Sequence, residues 1–363
     1  MSYNFNIHPE IEKAETLPGS FYQNDQIFAD LKEKVFLKTW QFAGNAHDMK
    51  LTNQVKPIAL LDNFLNEPMV LTNNSSGELN CVSNVCTHRG NIIINDGATA
   101  KSLICKYHGR KFTLDGKFES MPEFSDAEDF PRPCDHLHQF PLIKWGPMLF
   151  VGLDDSYDFQ AIIDKMKERV GFLPLDEFIY DPVRSKDYLV NTHWALYCDN
   201  FLEGFHIPYV HKDLNQVLDY GNYSSEQYEN CNLQIGYSDD AVETFDLPED
   251  HPDHGKHVAA YYYWVFPNLM FNFYPWGLSL NVIKPLSKNR TKVSFLSYVW
   301  DESKIAQSAG ADIDKVERED EFVVENVHKG LKSSFYTTGR FSPKREKGVH
   351  QFHGLLAEFM NKP

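Results

Sequence analysis

Apolar positions recur at two different intervals along the chain, and the change of interval divides it. Ile27, Phe28, Leu31, Val35 and Phe36 share one face at helical spacing, which predicts a helix over 25–40. From about Gln41 to Gly152 the texture turns to short apolar runs, such as Ile58-Ala59-Leu60-Leu61, Met69-Val70-Leu71 and Met148-Leu149-Phe150-Val151. Turn formers, among them Asn73-Asn74-Ser75-Ser76-Gly77 and Leu114-Asp115-Gly116, separate the runs, as in a small all-β domain. Phe159, Ile162, Ile163, Met166 and Val170 then predict an amphipathic helix that ends near Pro174. Further on, helix over about 192–206 and 311–331 accompanies strand-like stretches over about 258–285 and 291–300. Helices at both ends of an antiparallel run predict an α+β domain, with the domain boundary near 155–170.

Length agrees, since 363 residues exceed one ordinary core and two domains are the natural expectation. The opening Met-Ser-Tyr-Asn-Phe-Asn-Ile-His-Pro-Glu lacks a basic n-region and an apolar h-region. No apolar run approaches the roughly 20 residues that span a bilayer, so a cytoplasmic protein without a membrane partner is expected. A formal charge of −16 argues against a nucleic-acid partner, because phosphate binding needs a basic surface. Six cysteines (Cys81, Cys86, Cys105, Cys134, Cys198 and Cys231) are too sparse for a disulfide scaffold, and in a cytosolic protein paired Cys/His spacing points first to a metal site.

Two such pairs stand close together. Cys86-Thr87-His88 and Cys105-Lys106-Tyr107-His108 each offer one thiolate and one imidazole, with sixteen residues between His88 and Cys105. Two cysteines can hold one iron of a [2Fe–2S] cluster and two histidines the other, which raises the reduction potential relative to four thiolates. The alternative is a structural Cys2His2 zinc site, but those usually pair Cys with Cys and His with His. Gly90 and Gly109 permit the tight backbone turns that two facing cluster loops need. The remaining four cysteines are read as small buried hydrophobes. Arg89, Lys101, Lys106, Arg110, Lys111 and Lys117 surround the motif and offer either ordinary surface charge or a docking patch for an acidic ferredoxin or reductase.

Cys-x-His-Arg-Gly followed by Cys-x-Tyr-His-Gly resembles the Rieske motif of the ring-hydroxylating oxygenase family. The resemblance implies a Rieske domain over 41–155, a catalytic domain of helix-grip type over 156–363 that carries a mononuclear Fe(II), and a helical segment over 1–40 packed on that catalytic domain.

The second half carries a matching constellation. Asp199, Glu203 and His206 stand at i, i+4 and i+7, so a helix would present all three on one face. Pro208 disfavours helix at Ile207 and would bend the chain, swinging His211 towards His206. Two histidines and one carboxylate make an Fe(II) site with open positions, whereas two histidines alone could be a hydrogen-bonded core pair. Ile313, Val316, Val323, Val324 and Val327 predict an apolar helix stripe with Asp320 near its middle, while Arg318, Glu319 and Glu321 point further away. A carboxylate facing a core needs a metal or a salt-bridge partner.

Glu203-x2-His206-x4-His211 and the distal Asp320 are similar to the mononuclear iron motif of the same family, and the likeness continues through Gly330, Gly339-Arg340 and Phe352-His353. By that resemblance His206, His211 and Asp320 are the iron ligands and Asp199 is a nearby supporting group. Glu203 is the acidic bridge from His108 of one subunit to His206 of the next in a head-to-tail homotrimer. The implied enzyme takes electrons from an NAD(P)H-dependent ferredoxin or flavin reductase and uses O2 to oxidise a small organic substrate. Glu at the bridging position, where many ring-hydroxylating dioxygenases have Asp, resembles the branch that acts on choline, glycine betaine and carnitine. Tyr261-Tyr262-Tyr263-Trp264 with Phe271, Phe273, Tyr274 and Trp276 offers either an aromatic cage for a quaternary ammonium group or ordinary sheet packing. Aromatic ring dioxygenation and a Rieske electron carrier without oxygenase activity are the competing functions.

Overall fold

The computed structural model describes residues 3–154, 157–211, 224–238, 242–307 and 313–362, with the side chains of Gln307, Ile313 and Asp314 outside that description. Trp40–Asp155 forms one compact unit, and Met1–Thr39 with Ser156–Pro363 forms the other.

The first unit is all-β. Its strands are β1 (Trp40–Asn45), β2 (Gln54–Leu60), β3 (Glu67–Asn73), β4 (Leu79–Ser83), β5 (Ala98–Thr99), β6 (Leu103–Ile104), β7 (Lys111–Phe112), β8 (Phe118–Ser120), β9 (Gln139–Phe140), β10 (Leu142–Trp145) and β11 (Met148–Gly152). They pair as β5-β2-β3-β4-β9, β1-β11-β10 and β6-β7-β8. β3 shows why Met69-Val70-Leu71 is an unbroken apolar run. Successive side chains face opposite ways, and here both faces are cores. Met69 and Leu71 pack with Leu60, Leu149 and Val151, whereas Val70 packs with Val55, Val82 and the cysteines Cys86 and Cys105.

The second unit is α+β. Its strands are β12 (Ile179–Val190), β13 (Ser224–Tyr228), β14 (Cys231–Tyr237), β15 (Val258–Val265), β16 (Leu269–Tyr274), β17 (Gly277–Ser287) and β18 (Arg290–Val299). They form one sheet in the order β12-β18-β17-β16-β15-β14-β13, antiparallel throughout. The helices are α1 (Gly19–Gln23), α2 (Asp25–Lys34), α3 (Phe159–Val170), α4 (Trp194–Phe201), α5 (Ile207–Val210), α6 (Ile313–Gly330) and α7 (Lys347–Asn361). None among the described residues is long and apolar enough to cross a membrane. Asn24 caps α2 by accepting from the backbone of Gln26 and Ile27, and the helix stops at Lys34, short of the predicted 40.

Register decides what faces the helices. Gln234, Tyr262, Asn272 and Ser279 are successive cross-strand partners and so share one face. Gln234 Nε2 donates to the carbonyl of Phe201 at 2.8 Å, and Trp264 packs on Phe352 at 5.1 Å between ring centres, so this face lies against α4 and α7. Tyr261 turns to the other side and donates to Asp253 Oδ2 at 3.0 Å. Of the aromatic stretch, Tyr262 and Tyr274 are therefore on the helix side, with Trp276 stacked on Tyr274 at 5.4 Å.

Two sequence expectations need correction here. Helix does not run through 192–206: α4 ends at Phe201, Leu202 leaves the helical conformation, and the break falls at 202–204 rather than at Pro208. Pro208 instead sits in the first turn of α5, where its missing N–H costs nothing. The stripe on α6 is also different. Its buried side chains are Glu317, Val324 and His328, while Val327 is 44% exposed. Val316 and Val323 are half-buried, and the Ile313 side chain lies outside the described residues. The inward face of α6 meets polar groups of α4, so polar residues occupy it.

Candidate metal centres

Two hairpin loops of the first unit repeat one pattern. Cys86 N donates to Asn91 O and Gly90 N to Cys86 O, each at 2.9 Å. Cys105 N donates to Arg110 O and Gly109 N to Cys105 O, again each at 2.9 Å. Each turn closes on a glycine at positive φ, +69° at Gly90 and +77° at Gly109. The loops bring Cys86, His88, Cys105 and His108 together. Both cysteines are 2% exposed, whereas His88 is half-buried, His108 is exposed and their rings lie 4.8 Å apart.

The electrostatics separate the two thiols and favour neutral imidazole at His88. Burial, and then the neighbouring Cys105, push the Cys86 thiol above its ordinary range. For Cys105 burial is outweighed by the backbone N–H of Tyr107 and by hydrogen bonds from Cys86 and Asn91, which hold the thiol down. Asn91 Nδ2 lies 3.5 Å from Cys105 Sγ. Burial, and then His108, lower the pKa of His88, keeping it neutral. Two desolvated sulfurs beside two imidazoles on matched turns fit the mixed ligand set of a Rieske cluster.

The cations around these loops do not form one patch. Arg110 is 2% exposed, pairs with Asp135 Oδ1 at 2.7 Å and lies over the rings of Phe112, Phe118 and Phe130. Lys111 pairs with Glu119 and Lys117 with Asp115. Arg89, Lys101 and Lys106 stay exposed.

In the second unit, His206, His211 and Asp320 offer ligand atoms that all lie within 4.8 Å of one another. α4, the break after it and α5 deliver the histidines, and α6 delivers the carboxylate. His211 Nε2 is 3.0 Å and His206 Nε2 3.5 Å from the same oxygen, Asp320 Oδ1. Behind each ring stands another carboxylate: Glu203 Oε1 at 2.7 Å from His206 Nδ1, and Glu319 Oε2 at 2.7 Å from His211 Nδ1. Asn200 Nδ2 donates to Asp320 Oδ1 at 2.7 Å.

This arrangement calls for a cation. Carboxylates behind the rings fix the proton on each Nδ1, which leaves two Nε2 lone pairs aimed at a carboxylate oxygen. Without a positive charge between them, three acceptors would converge. Burial alone would lower the pKa of His211, but Asp320 and Glu319 outweigh it and raise the value, another sign that the site seeks positive charge. Two imidazoles and one carboxylate with open sides are the donor set of a non-haem Fe(II) centre.

Other singled-out residues fall elsewhere. Asp199 does not share a face with Glu203 and His206: its Oδ1 is 3.0 Å from His353 Nε2, and Tyr22 Oη donates to its Oδ2 at 3.3 Å. Leu17 N donates to His353 Nδ1 at 3.0 Å, so Asp199 buckles the N-terminal segment to α7. Glu203 reaches His206 across a turn, its Oε2 also accepting from the backbone of Phe205 and His206. Sequence reasoning missed Asn200 and turned Glu319 outwards. It missed as well the buried pair of Tyr197 and Glu317, whose hydroxyl and Oε2 are 2.5 Å apart one helical turn before Asp320.

Comparison with known proteins supports the same division. Residues 179–362 match the family model of the ring hydroxylating alpha subunit (catalytic domain), and 39–140 match that of the Rieske [2Fe-2S] domain. Choline monooxygenase of Beta vulgaris is 28% identical over 366 residues, spanning 96% of this chain and 78% of that protein. The carnitine monooxygenase oxygenase subunit of Escherichia coli K12 is 26% identical over 374 residues, spanning 98% of this chain and 96% of that protein. A solved quaternary ammonium Rieske monooxygenase shares the fold with a TM-score of 0.78 at 20% identity, covering 99% of this chain and all of the other. Naphthalene 1,2-dioxygenase from Rhodococcus sp. does so at 0.70 and 15% identity, over 95% of this chain and 94% of that one. The chain belongs to the ring-hydroxylating alpha-subunit family of Rieske non-haem iron oxygenases, which pair a [2Fe–2S] cluster with a mononuclear iron.

Proposed function

We propose that this oxygenase acts on a small quaternary ammonium compound, with Cys86, His88, Cys105 and His108 holding the cluster and His206, His211 and Asp320 holding Fe(II). The observation that carries the metal assignment is the convergence of two Nε2 atoms on Asp320 Oδ1 with a carboxylate behind each ring. When bound, the two metals supply O2 activation and the electrons it consumes. The rest is work for the chain. Glu203 and Glu319 orient the two rings, and Asn200 orients the carboxylate. Asp199 positions α4 through His353.

Substrate class rests on the relatives, which are named for choline and carnitine. It is supported by Tyr262 and Tyr274, which share a sheet face and pack in one cluster with Trp276, itself stacked on Tyr274. Cation–π contacts contribute about 0.5–2 kcal/mol each.

Glu203 doubles as the bridge between centres of neighbouring copies. Its side chain is 13% exposed, and Phe205 and Tyr209, two and six residues further on, are exposed. His108 is exposed and its ring lies against that of Tyr107, while Ile92 and Ile104 on the same two loops are 37% and 47% exposed. Docking the His108 loops onto the Glu203 surface of the next copy is a head-to-tail contact; such contacts make rings when their rotation closes, and the ring proposed here is a trimer. Electrons come from a separate NAD(P)H-dependent reductase. All six cysteines are free, which fits a reducing compartment such as the cytoplasm.

Iron content and O2 uptake test the proposal together. His206→Ala should lose one iron per chain and all turnover while keeping the visible spectrum of the cluster. Choline, carnitine and glycine betaine should stimulate O2 uptake by the native enzyme more than naphthalene does. Oxygenase activity in His206→Ala would refute the iron assignment, and stimulation by naphthalene alone would refute the substrate class.

A further inference from the structure

An electron relay needs an entrance as well as an exit. In the reading above the exposed imidazole tip faces a neighbouring copy, which leaves the donor another approach. The first unit has a cleft of about 680 Å3 whose wall includes Cys86 and Thr87 but not His88, Cys105 or His108. The opposite walls are the turn at Asp115-Gly116-Lys117 and the segment from Pro133 to Gln139.

The cleft is rigidly built. Leu137 N donates to Gly116 O at 2.8 Å, Phe118 N to His136 Nδ1 at 2.8 Å, and Thr87 Oγ1 to Asp135 O at 2.9 Å. A side chain at Gly116 would meet Val82 and Leu137 at 3.1 and 3.2 Å, and this residue has φ of +85°, so the turn forming one wall is tied to glycine. Its charge differs from that of the molecule as a whole. The chain carries −16, yet the one lining carboxylate, Asp115, is paired with Lys117 at 2.8 Å. Exposed His136 and His138 complete the rim, and exposed Arg132 adjoins it. The lining therefore presents no unpaired carboxylate to an acidic protein.

We propose that this cleft is the electron entrance, where an acidic donor protein of the [2Fe–2S] ferredoxin type docks against the Cys86 side of the cluster. The step moves one electron: the donor cluster is oxidised by one, the acceptor cluster is reduced by one, and no bond or proton is exchanged. The inference rests on reading Cys86, His88, Cys105 and His108 as the cluster ligands.

Cys134 provides the test. It lines the cleft and is the one exposed cysteine of the six. Holoprotein is labelled with maleimide-polyethylene glycol, and bleaching of the cluster is followed after mixing with a reduced plant-type acidic [2Fe–2S] ferredoxin or with dithionite. Labelling should abolish reduction by ferredoxin and leave reduction by dithionite unchanged. Cys134→Ser should keep ferredoxin reduction after the same treatment. Lys117→Glu should slow it by about tenfold at low salt, with the difference shrinking as salt rises. Unchanged ferredoxin reduction after stoichiometric labelling would overturn the proposal, as would a Cys134 that the reagent cannot reach in the native assembly. A ferredoxin that leaves unlabelled cluster oxidised would overturn the choice of partner. Failure of the ligand assignment itself looks different, since every sample would then lack the Rieske visible spectrum.

Discussion

Replacing Glu319 by alanine takes away the acceptor that holds His211 from behind. The Nδ1 to Oε2 distance is 2.7 Å, and the two side chains are 2% and 31% exposed. A buried donor left without a partner costs about 1–3 kcal/mol. Because Glu319 borders solvent, water can partly replace it, so the lower half of that range applies, about 1–2 kcal/mol. That equals a loss of roughly 5- to 30-fold in Fe(II) affinity. Glu319→Gln keeps an acceptor oxygen but no charge, and its loss should stay within about fivefold. The assay strips the mononuclear iron with a chelator and titrates Fe(II) anaerobically against a competing chelator, with the cluster absorbance as an internal control. Affinity unchanged in Glu319→Ala would refute the claim that this carboxylate orients the ring. If glutamine were as damaging as alanine, charge rather than hydrogen bonding would be the operative effect.

Other expectations follow from the same geometry. Glu203→Gln should retain both metals yet stop electron delivery from reduced cluster on substrate binding; a normal single-turnover yield would point to another route. Glu317 is 2% exposed, and burial pushes its carboxyl well above the usual range, so the folded protein keeps a proton that the unfolded chain releases above about pH 4.3. Its contribution is therefore full below that pH and falls as pH rises, by up to about 1.4 kcal/mol per unit. Thermal melts should show the Tm of Glu317→Gln gaining on native protein from pH 5 to 8, and parallel curves would contradict it. Arg110→Ala strands Asp135, a mostly buried partner, and should cost about 3–5 kcal/mol, read as earlier loss of cluster absorbance on heating. Trp276→Leu should weaken binding of choline more than that of its uncharged tert-butyl isostere, by calorimetry; equal losses would mean that the ring only packs.

All the candidate ligands except Asp320 were legible as short local motifs. Two Cys-x-(x)-His turns closing on glycine need only local backbone to bring sulfur and nitrogen together, so spacing alone implied the pairing. Asp320 was found from its inward placement on a helix, even though the valine stripe used to find it was partly wrong: Val327 is exposed, and the inward positions are Glu317, Val324 and His328. Asp320 still meets His206 and His211 because the periodicity of the helix constrained its direction more than the identity of the stripe did. Direction is what periodicity cannot carry. Glu319 neighbours Asp320, and counting 100° per residue turned it away, yet a carboxylate on a long stem reaches back to His211. The shared helical face of Asp199 and Glu203 is lost for the opposite reason, since the helix ends after Phe201 and nothing nearby signals that His353 would pair with Asp199. β12 escaped notice because it is an edge strand with a register shift and a proline, and seven of its twelve residues are exposed. The errors at Glu319 and Asp199 share one feature. A motif names the atoms that can bind metal, whereas the partner that aims each ring comes from a segment that can lie over 100 residues away, as Glu319 does from His211 and His353 from Asp199. Substitutions at those distant partners should therefore alter metal affinity and electron transfer while leaving every motif intact.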